Sequence, residues 1–141
     1  MKRKFVILPF ISLLLLAAAD DERAQHKARM NTAQDVKDDL KDALDGKSRE
    51  KALEPAETLV KLAEQEEAYW QKTKLDDAVK FAQQNLANSR AIVGAVKEEH
   101  FDQAVQAFGD LEKTCRACHD LHPEKRLTSG NPRQEAGRLW F

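Results

Sequence analysis

The stretch AVQAFGDLEKTCRACH, residues 104–119, carries a helical pattern that ends in two cysteines. Its apolar and thiol side chains recur at steps of four, three, four and three, at Ala104, Phe108, Leu111, Cys115 and Cys118. Residues at this spacing lie on one face of an α-helix. The stretch therefore predicts an amphipathic helix whose inner face runs straight into the motif CRACH.

The sequence upstream predicts three more helices of similar length. Residues 20–122 contain a single proline, Pro55, and strong helix formers dominate without any period-two alternation. Breaks in the pattern, including Gly46 followed by Ser48 as a helix cap, predict helices over about 22–45, 48–71, 76–97 and from 101 to a stop at Pro123. Pro55 either kinks the second helix or lies in its first turn. Short loops between these helices predict an all-α protein, an antiparallel up-down-up-down four-helix bundle.

The first residues, MKRKFVILPFISLLLLAAAD, are typical of a secretory signal peptide. A basic start is followed by an apolar run and by three alanines that predict cleavage after Ala19. The uncharged run over 5–19 contains Pro9 and is shorter than the roughly 18 residues of a spanning helix, so we expect no stable membrane insertion after cleavage. The prediction is a signal peptide over 1–19, a bundle domain over 20–126 and a tail over 127–141, in an exported protein.

The charge of the exported chain argues against nucleic-acid binding. Cleavage removes three of the 23 basic residues and none of the 24 acidic ones, which leaves a formal charge of −4. Nucleic-acid binding would favour a basic face instead. The sequence offers neither a nucleophile–base pair nor paired carboxylates above the background of solvated charge, so we expect no enzymatic activity.

The motif CRACH contains both cysteines of the chain. A disulfide between positions i and i+3 would close a very small loop and add little stability, which indicates a chemical role for the pair. C-x-x-C-H is the attachment pattern of c-type haem. On a helix, Cys115 and Cys118 can bond the two vinyl groups of one porphyrin edge while His119 points at the iron.

Three other interpretations of the motif remain open. A reactive dithiol uses C-x-x-C at the start of a helix, whereas about three helical turns precede Cys115. A zinc site could use Cys115, Cys118 and His122, but it needs a fourth ligand. The cysteines could also be an incidental buried pair. The adjacent histidine and the export signal favour one covalent haem c.

The bundle geometry predicts the second iron ligand. If the first and last helices are antiparallel, His119 near the end of the last helix lies level with Met30 and His26 near the start of the first. His100 is roughly 28 Å along the helix from His119 and is excluded. Met30 is the only methionine left after cleavage, and a thioether suits haem iron. A core role for Met30, ligation by His26 and an empty sixth position are the alternatives.

The same geometry brings the end of the second helix and the start of the third beside the haem. The pocket candidates there are Tyr69, Trp70, Leu75 and Phe81, each also compatible with ordinary core packing, and His26 on the first helix is a further candidate. Basic residues surround the motif in sequence, at Lys113, Arg116, Lys125 and Arg126. They could pair with haem propionates or form a docking patch for a redox partner protein, although each is also compatible with ordinary surface charge.

Taken together, the export signal, the helical chain and the late motif resemble the class II c-type cytochromes, the cytochrome c′ and cytochrome c-556 group. The stretch AFGDLEKTCRACHDLHPEKR, residues 107–126, is similar to the C-terminal signature of that family. The resemblance covers about residues 23–126 and implies a periplasmic haem protein that is often a homodimer.

This family has two functional branches. In one, a methionine of the first helix fills the sixth iron position of a low-spin electron carrier, and Met30 in HKARMNTAQDV fits that place. In the other, the iron is five-coordinate and binds NO or CO. Members often carry an arginine one turn before the distal position, where this chain has His26.

Overall fold

Four helices account for nearly all of the chain that the structure, a computed structural model, describes: the backbone of residues 10–122 and the side chains of residues 21–122. They are α1 (Phe10–Asp45), α2 (Arg49–Thr73), α3 (Asp76–Lys97) and α4 (Phe101–Leu121), with no strand over this range. Each helix packs against the next, and α4 returns to contact α1. The predicted all-α four-helix bundle is confirmed. Residues 1–9 of the predicted signal peptide and the predicted tail lie outside the described residues, together with Pro123, Lys125 and Arg126.

Most helix boundaries follow the sequence signals. Helix α3 has the predicted bounds, α4 begins at the predicted residue, and Ser48 caps α2 by accepting a hydrogen bond from the Lys51 N–H. Helix α1 begins at Phe10, earlier than the predicted start near residue 22. The apolar run consists of leucines, alanines and other residues that a helix accommodates, and neither glycine nor proline separates it from the rest of α1.

Two positions differ in detail from the prediction. Pro55 lies inside α2, more than one turn beyond Arg49, so the alternative that placed it in the first turn is wrong. Gly46 directly follows α1, but the left-handed residue of that connection is Lys47, with φ 48°. The left-handed backbone conformation after α1 is therefore one residue later than the position of the glycine suggests.

The apolar interior forms two clusters toward opposite ends of the bundle. The main cluster lies near the α1–α2 and α3–α4 loops and contains Leu40, Ala43, Leu44, Ala52, Ala56, Leu59, Ile92, Ala95, Val96, Ala104, Phe108 and Leu111. The second cluster lies near the α2–α3 loop and contains Trp70, Ala78 and Ala82, with Tyr69, Leu75 and Val79 packed against it. The predicted stripe of α4 thus enters the main cluster, and CRACH lies toward the end of the bundle that holds the second cluster. Among the described residues, no helix has the length and apolar character needed to cross a membrane.

Candidate functional site

CRACH lies on an unbroken part of α4. Cys115, Cys118 and His119 are half-buried, whereas Arg116 and Ala117 between them are exposed. This difference follows from helical spacing, because positions i, i+3 and i+4 share a face. The three residues of the motif that carry chemistry therefore turn toward the bundle, as the sequence predicts.

The two thiols lie in surroundings that keep them protonated. Cys115 packs against the main cluster, and the Asn85 side-chain amide nitrogen lies 3.6 Å from its sulfur as a donor. Burial raises the pKa of Cys115. Burial also raises the pKa of Cys118 to about 11, with further contributions from Cys115 and from the carboxylates of Asp77 and Glu66. Neither cysteine forms a disulfide, and such thiols are poor nucleophiles, which disfavours a reactive dithiol.

An ion pair between α1 and α4 indicates which residues of α1 lie near the level of His119. Lys37 Nζ is 3.9 Å from Glu112 Oε1. In an antiparallel pair, seven residues back along α1 and seven forward along α4 lead from this contact to Met30 and His119. The prediction that these two residues share a level agrees with this register. Met30 is half-buried and belongs to neither apolar cluster.

Helix α3 places Phe81 near the same level. His122 Nε2 is 2.9 Å from Asp77 Oδ2. About two turns further along α3, Asn85 contacts Cys115. These two contacts bracket Phe81 on α3 and the segment with Cys118 on α4. Phe81 is half-buried, as expected for a residue beside the motif.

Three predicted pocket residues meet in an aromatic group at the CRACH end of the bundle. The rings of His26 and Tyr69 stack with centroids 4.5 Å apart and an angle of 7° between planes. Trp70 packs edge-on against both, at 5.1 Å from His26 and 4.9 Å from Tyr69. Helix α1 is thereby joined to α2 one turn before Met30.

Glu66 is a buried carboxylate that the sequence analysis missed. It is 6% exposed, and Arg29 Nε donates to its Oε1 at 2.6 Å. His26 Nδ1 lies 2.7 Å from its Oε2, but the two atoms are not aligned for a hydrogen bond. The run Glu-Gln-Glu-Glu at residues 64–67 suggests a solvated surface. The available signal was the position of Glu66 on the buried stripe of α2, three residues after Ala63 and four before Trp70.

His122, the third residue of the zinc alternative, is paired with Asp77 across the α3–α4 interface. Partial burial tends to raise the pKa of Asp77, but hydrogen bonds from the Ala78 N–H and from His122 outweigh it and hold that pKa below its usual value. Within residues 21–122, no three side chains of His, Cys, Asp or Glu converge as a metal-binding group. His100 precedes α4 at the opposite end of the bundle, in agreement with its exclusion as an iron ligand.

Only part of the predicted basic patch can be placed. Arg116 is exposed, and Lys113 is exposed and pairs with Asp110 at 2.9 Å. These two residues lie on the outer side of α4, next to the motif. Their position is compatible both with a docking patch and with ordinary surface charge.

Comparison of the chain with protein-family models, with curated proteins and with solved structures found no match. Two protonated thiols one turn apart, an imidazole beside the second and a thioether at the same level across the bundle form a set suited to a covalent haem.

Proposed function

We propose that this chain is a periplasmic monohaem c-type cytochrome that carries single electrons between redox partner proteins. One haem c is attached to Cys115 and Cys118, and the iron is held by His119 and Met30. The observation that carries the proposal is the shared direction of the three CRACH residues toward the bundle, with Met30 at the level of His119. The redox partners, the periplasmic location and a homodimeric state are parts of the same proposal.

The residues around the motif fit a haem group. Met30 and Phe81 are only half-buried and belong to neither apolar cluster. Beside Cys115, the side-chain oxygen of Asn85 is buried without a hydrogen-bond partner, which is unusual for a polar atom in a bundle interior. These features support a site that is completed by a further group.

When bound, the haem supplies a reversible Fe(III)/Fe(II) couple. The chain contributes the ligands and their fixed placement. Ligation of the iron by His119 and Met30 would favour a higher reduction potential than ligation by two nitrogen atoms. Because His119 and Met30 lie on long helices packed in one bundle, both can stay in place through a change of oxidation state, which keeps structural rearrangement small.

A gas-binding protein is the second candidate, and one observation favours it. The contact between α1 and α4 is the least extensive of the four helix contacts in the bundle. Met30 lies on the α1 side of this contact and is not locked into either apolar cluster. A helix that can move away from α4 would leave the sixth position open to NO or CO.

Covalent attachment is tested by expressing the full chain with a cytochrome maturation system and measuring haem by the pyridine haemochrome assay and by mass. We expect one haem per chain in the wild type and in Met30→Ala, and none in a variant with both cysteines replaced by alanine. Absence of covalent haem from the wild-type chain would overturn both haem functions and return the zinc and dithiol interpretations to consideration.

The Met30→Ala variant then separates the two haem functions. If Met30 is a ligand, its removal converts a low-spin spectrum to a high-spin one and accelerates CO binding to the ferrous protein. If the sixth position is already open, the spectra of the variant and the wild type are nearly the same. Ala33→Ser, a small change one turn further along α1, is the matched control and is expected to leave the spectrum of the wild type unchanged.

A further inference from the structure

The segment of α1 that carries Met30, residues 21–33, has little apolar anchoring. Within residues 21–33 of α1, only Met30 and Ala33 are apolar and not exposed. Within residues 21–45 of α1, the buried apolar residues are Leu40, Ala43 and Leu44, which lie near the α1–α2 loop. Hydrophobic packing therefore fixes α1 near the α1–α2 loop and leaves the Met30 segment to be held by other contacts.

Glu66 supplies those contacts from α2. Its two carboxylate oxygens face Arg29 at 2.6 Å and His26 at 2.7 Å, so one buried side chain meets two consecutive turns of α1. The stacking of His26 on Tyr69 adds a further contact between α1 and α2 at this position. The nearby pair of Lys72 and Glu22 is exposed and contributes little.

A buried carboxylate adds little net stability, because the cost of desolvation offsets much of the attraction between the charges. Its better-documented use is to specify the register of helices. A slip of α1 by one turn would move Met30 by about 5.4 Å along the bundle. It would also separate Glu66 from Arg29 and His26, so this pairing penalises such a slip.

We propose that Glu66 is a positioning residue that sets the register of α1 around residues 26–30 and so presents Met30 at the level of His119. Its consequence at the iron rests on the proposed function, whereas its effect on α1 does not. Occupancy of the sixth position is then controlled from α2, through a side chain that is not itself a ligand.

The first test compares Glu66→Gln with Glu67→Gln in the haem-loaded protein. Glu67 is the matched control because it is the next residue on α2 and its side-chain partners are the exposed amides of Gln71 and Gln83. We expect Glu66→Gln to accelerate CO binding to the ferrous protein at least about tenfold. This factor corresponds to a loss of about 1.4 kcal/mol in the free energy that holds Met30 at the iron. Glu67→Gln is expected to match the wild type.

The second test uses the full chain with both cysteines replaced by alanine, so that no haem can attach. Hydrogen exchange at the amides of residues 22–33 is expected to accelerate at least about tenfold in Glu66→Gln relative to Glu67→Gln. Exchange in the part of α3 that belongs to the main cluster should not change. A merely structural role of Glu66 would accelerate exchange in both regions together.

The outcomes separate the two proposals. A wild type that lacks Met30 ligation contradicts the proposed electron carrier, and the exchange experiment still decides the role of Glu66. If Glu66→Gln unfolds, Arg29→Gln takes its place, because it removes one of the two contacts that Glu66 makes with α1. We expect it to accelerate hydrogen exchange in residues 22–33 by a smaller factor. Equal exchange in residues 22–33 for the tested variant and Glu67→Gln would overturn the positioning role.

Discussion

The protonated state of Cys118 gives a quantitative prediction for the haem-free protein. Its pKa is raised from 9.0 to about 11, with burial as the largest cause. A shift of this size lowers the thiolate fraction about a hundredfold at any pH well below 9, and the thiolate is the reactive form. Replacing Cys115 by alanine leaves a single thiol and preserves the burial of Cys118. We expect its alkylation at about pH 8 to be slower than in the unfolded chain by about ten- to a hundredfold.

The assay follows iodoacetamide labelling of Cys115→Ala under reducing conditions by mass, with the same chain in denaturant as the reference. Burial, the largest cause of the shift, remains after Cys115 is replaced, so the folded-state rate should keep rising with pH beyond 9.0, whereas the unfolded-state rate levels off there. Because the unfolded state loses the thiol proton first, the stability of the haem-free fold should fall as the pH rises from 9.0 toward about 11. Labelling of the folded chain as fast as the unfolded one would refute this reasoning and favour a reactive dithiol.

Three further predictions concern the bundle itself. Leu40→Ala should lower the free energy of unfolding by about 2–5 kcal/mol in urea titration, since Leu40 is fully buried, while Leu121→Ala at a site 62% exposed should change it by less than about 0.5 kcal/mol. Asp77→Asn should reduce the loss of stability as the pH falls below 3.8, because the lowered pKa of Asp77 stabilises the fold above that pH and this stabilisation disappears in acid. Acid titration followed by circular dichroism measures the effect, and a curve unchanged from the wild type would count against the Asp77–His122 contact. Ser48→Ala should cost about 0.5–1 kcal/mol through loss of the α2 cap, and no change in the thermal midpoint would contradict that role.

The helix boundaries could be predicted because local chemistry decides them. Ser48 offers a side-chain acceptor to the first turn of α2, and the α3 bounds follow from the polar breaks on either side of residues 76–97. The start of α1 could not be predicted in the same way. The apolar run has the composition of a processing signal, yet the same composition also forms a helix, and nothing in the sequence separates these two roles.

In the candidate site too, some features could be predicted from the sequence and others could not. The common direction of Cys115, Cys118 and His119 follows from helical spacing alone, and the level of Met30 follows from the antiparallel arrangement of the helices. The burial of Glu66 depends on which α1 residues face it, and this is a property of the tertiary structure. The identity of its partners, Arg29 and His26, emerges only when α1 and α2 are docked.

The most direct test of the electron-carrier proposal is the absorption spectrum of the matured, full-length protein in its ferric and ferrous states, recorded before and after addition of CO. If His119 and Met30 both hold the iron, the two states are low-spin and six-coordinate, and the ferrous spectrum changes little on mixing with CO. A five-coordinate, high-spin spectrum that shifts at once with CO would contradict ligation by Met30.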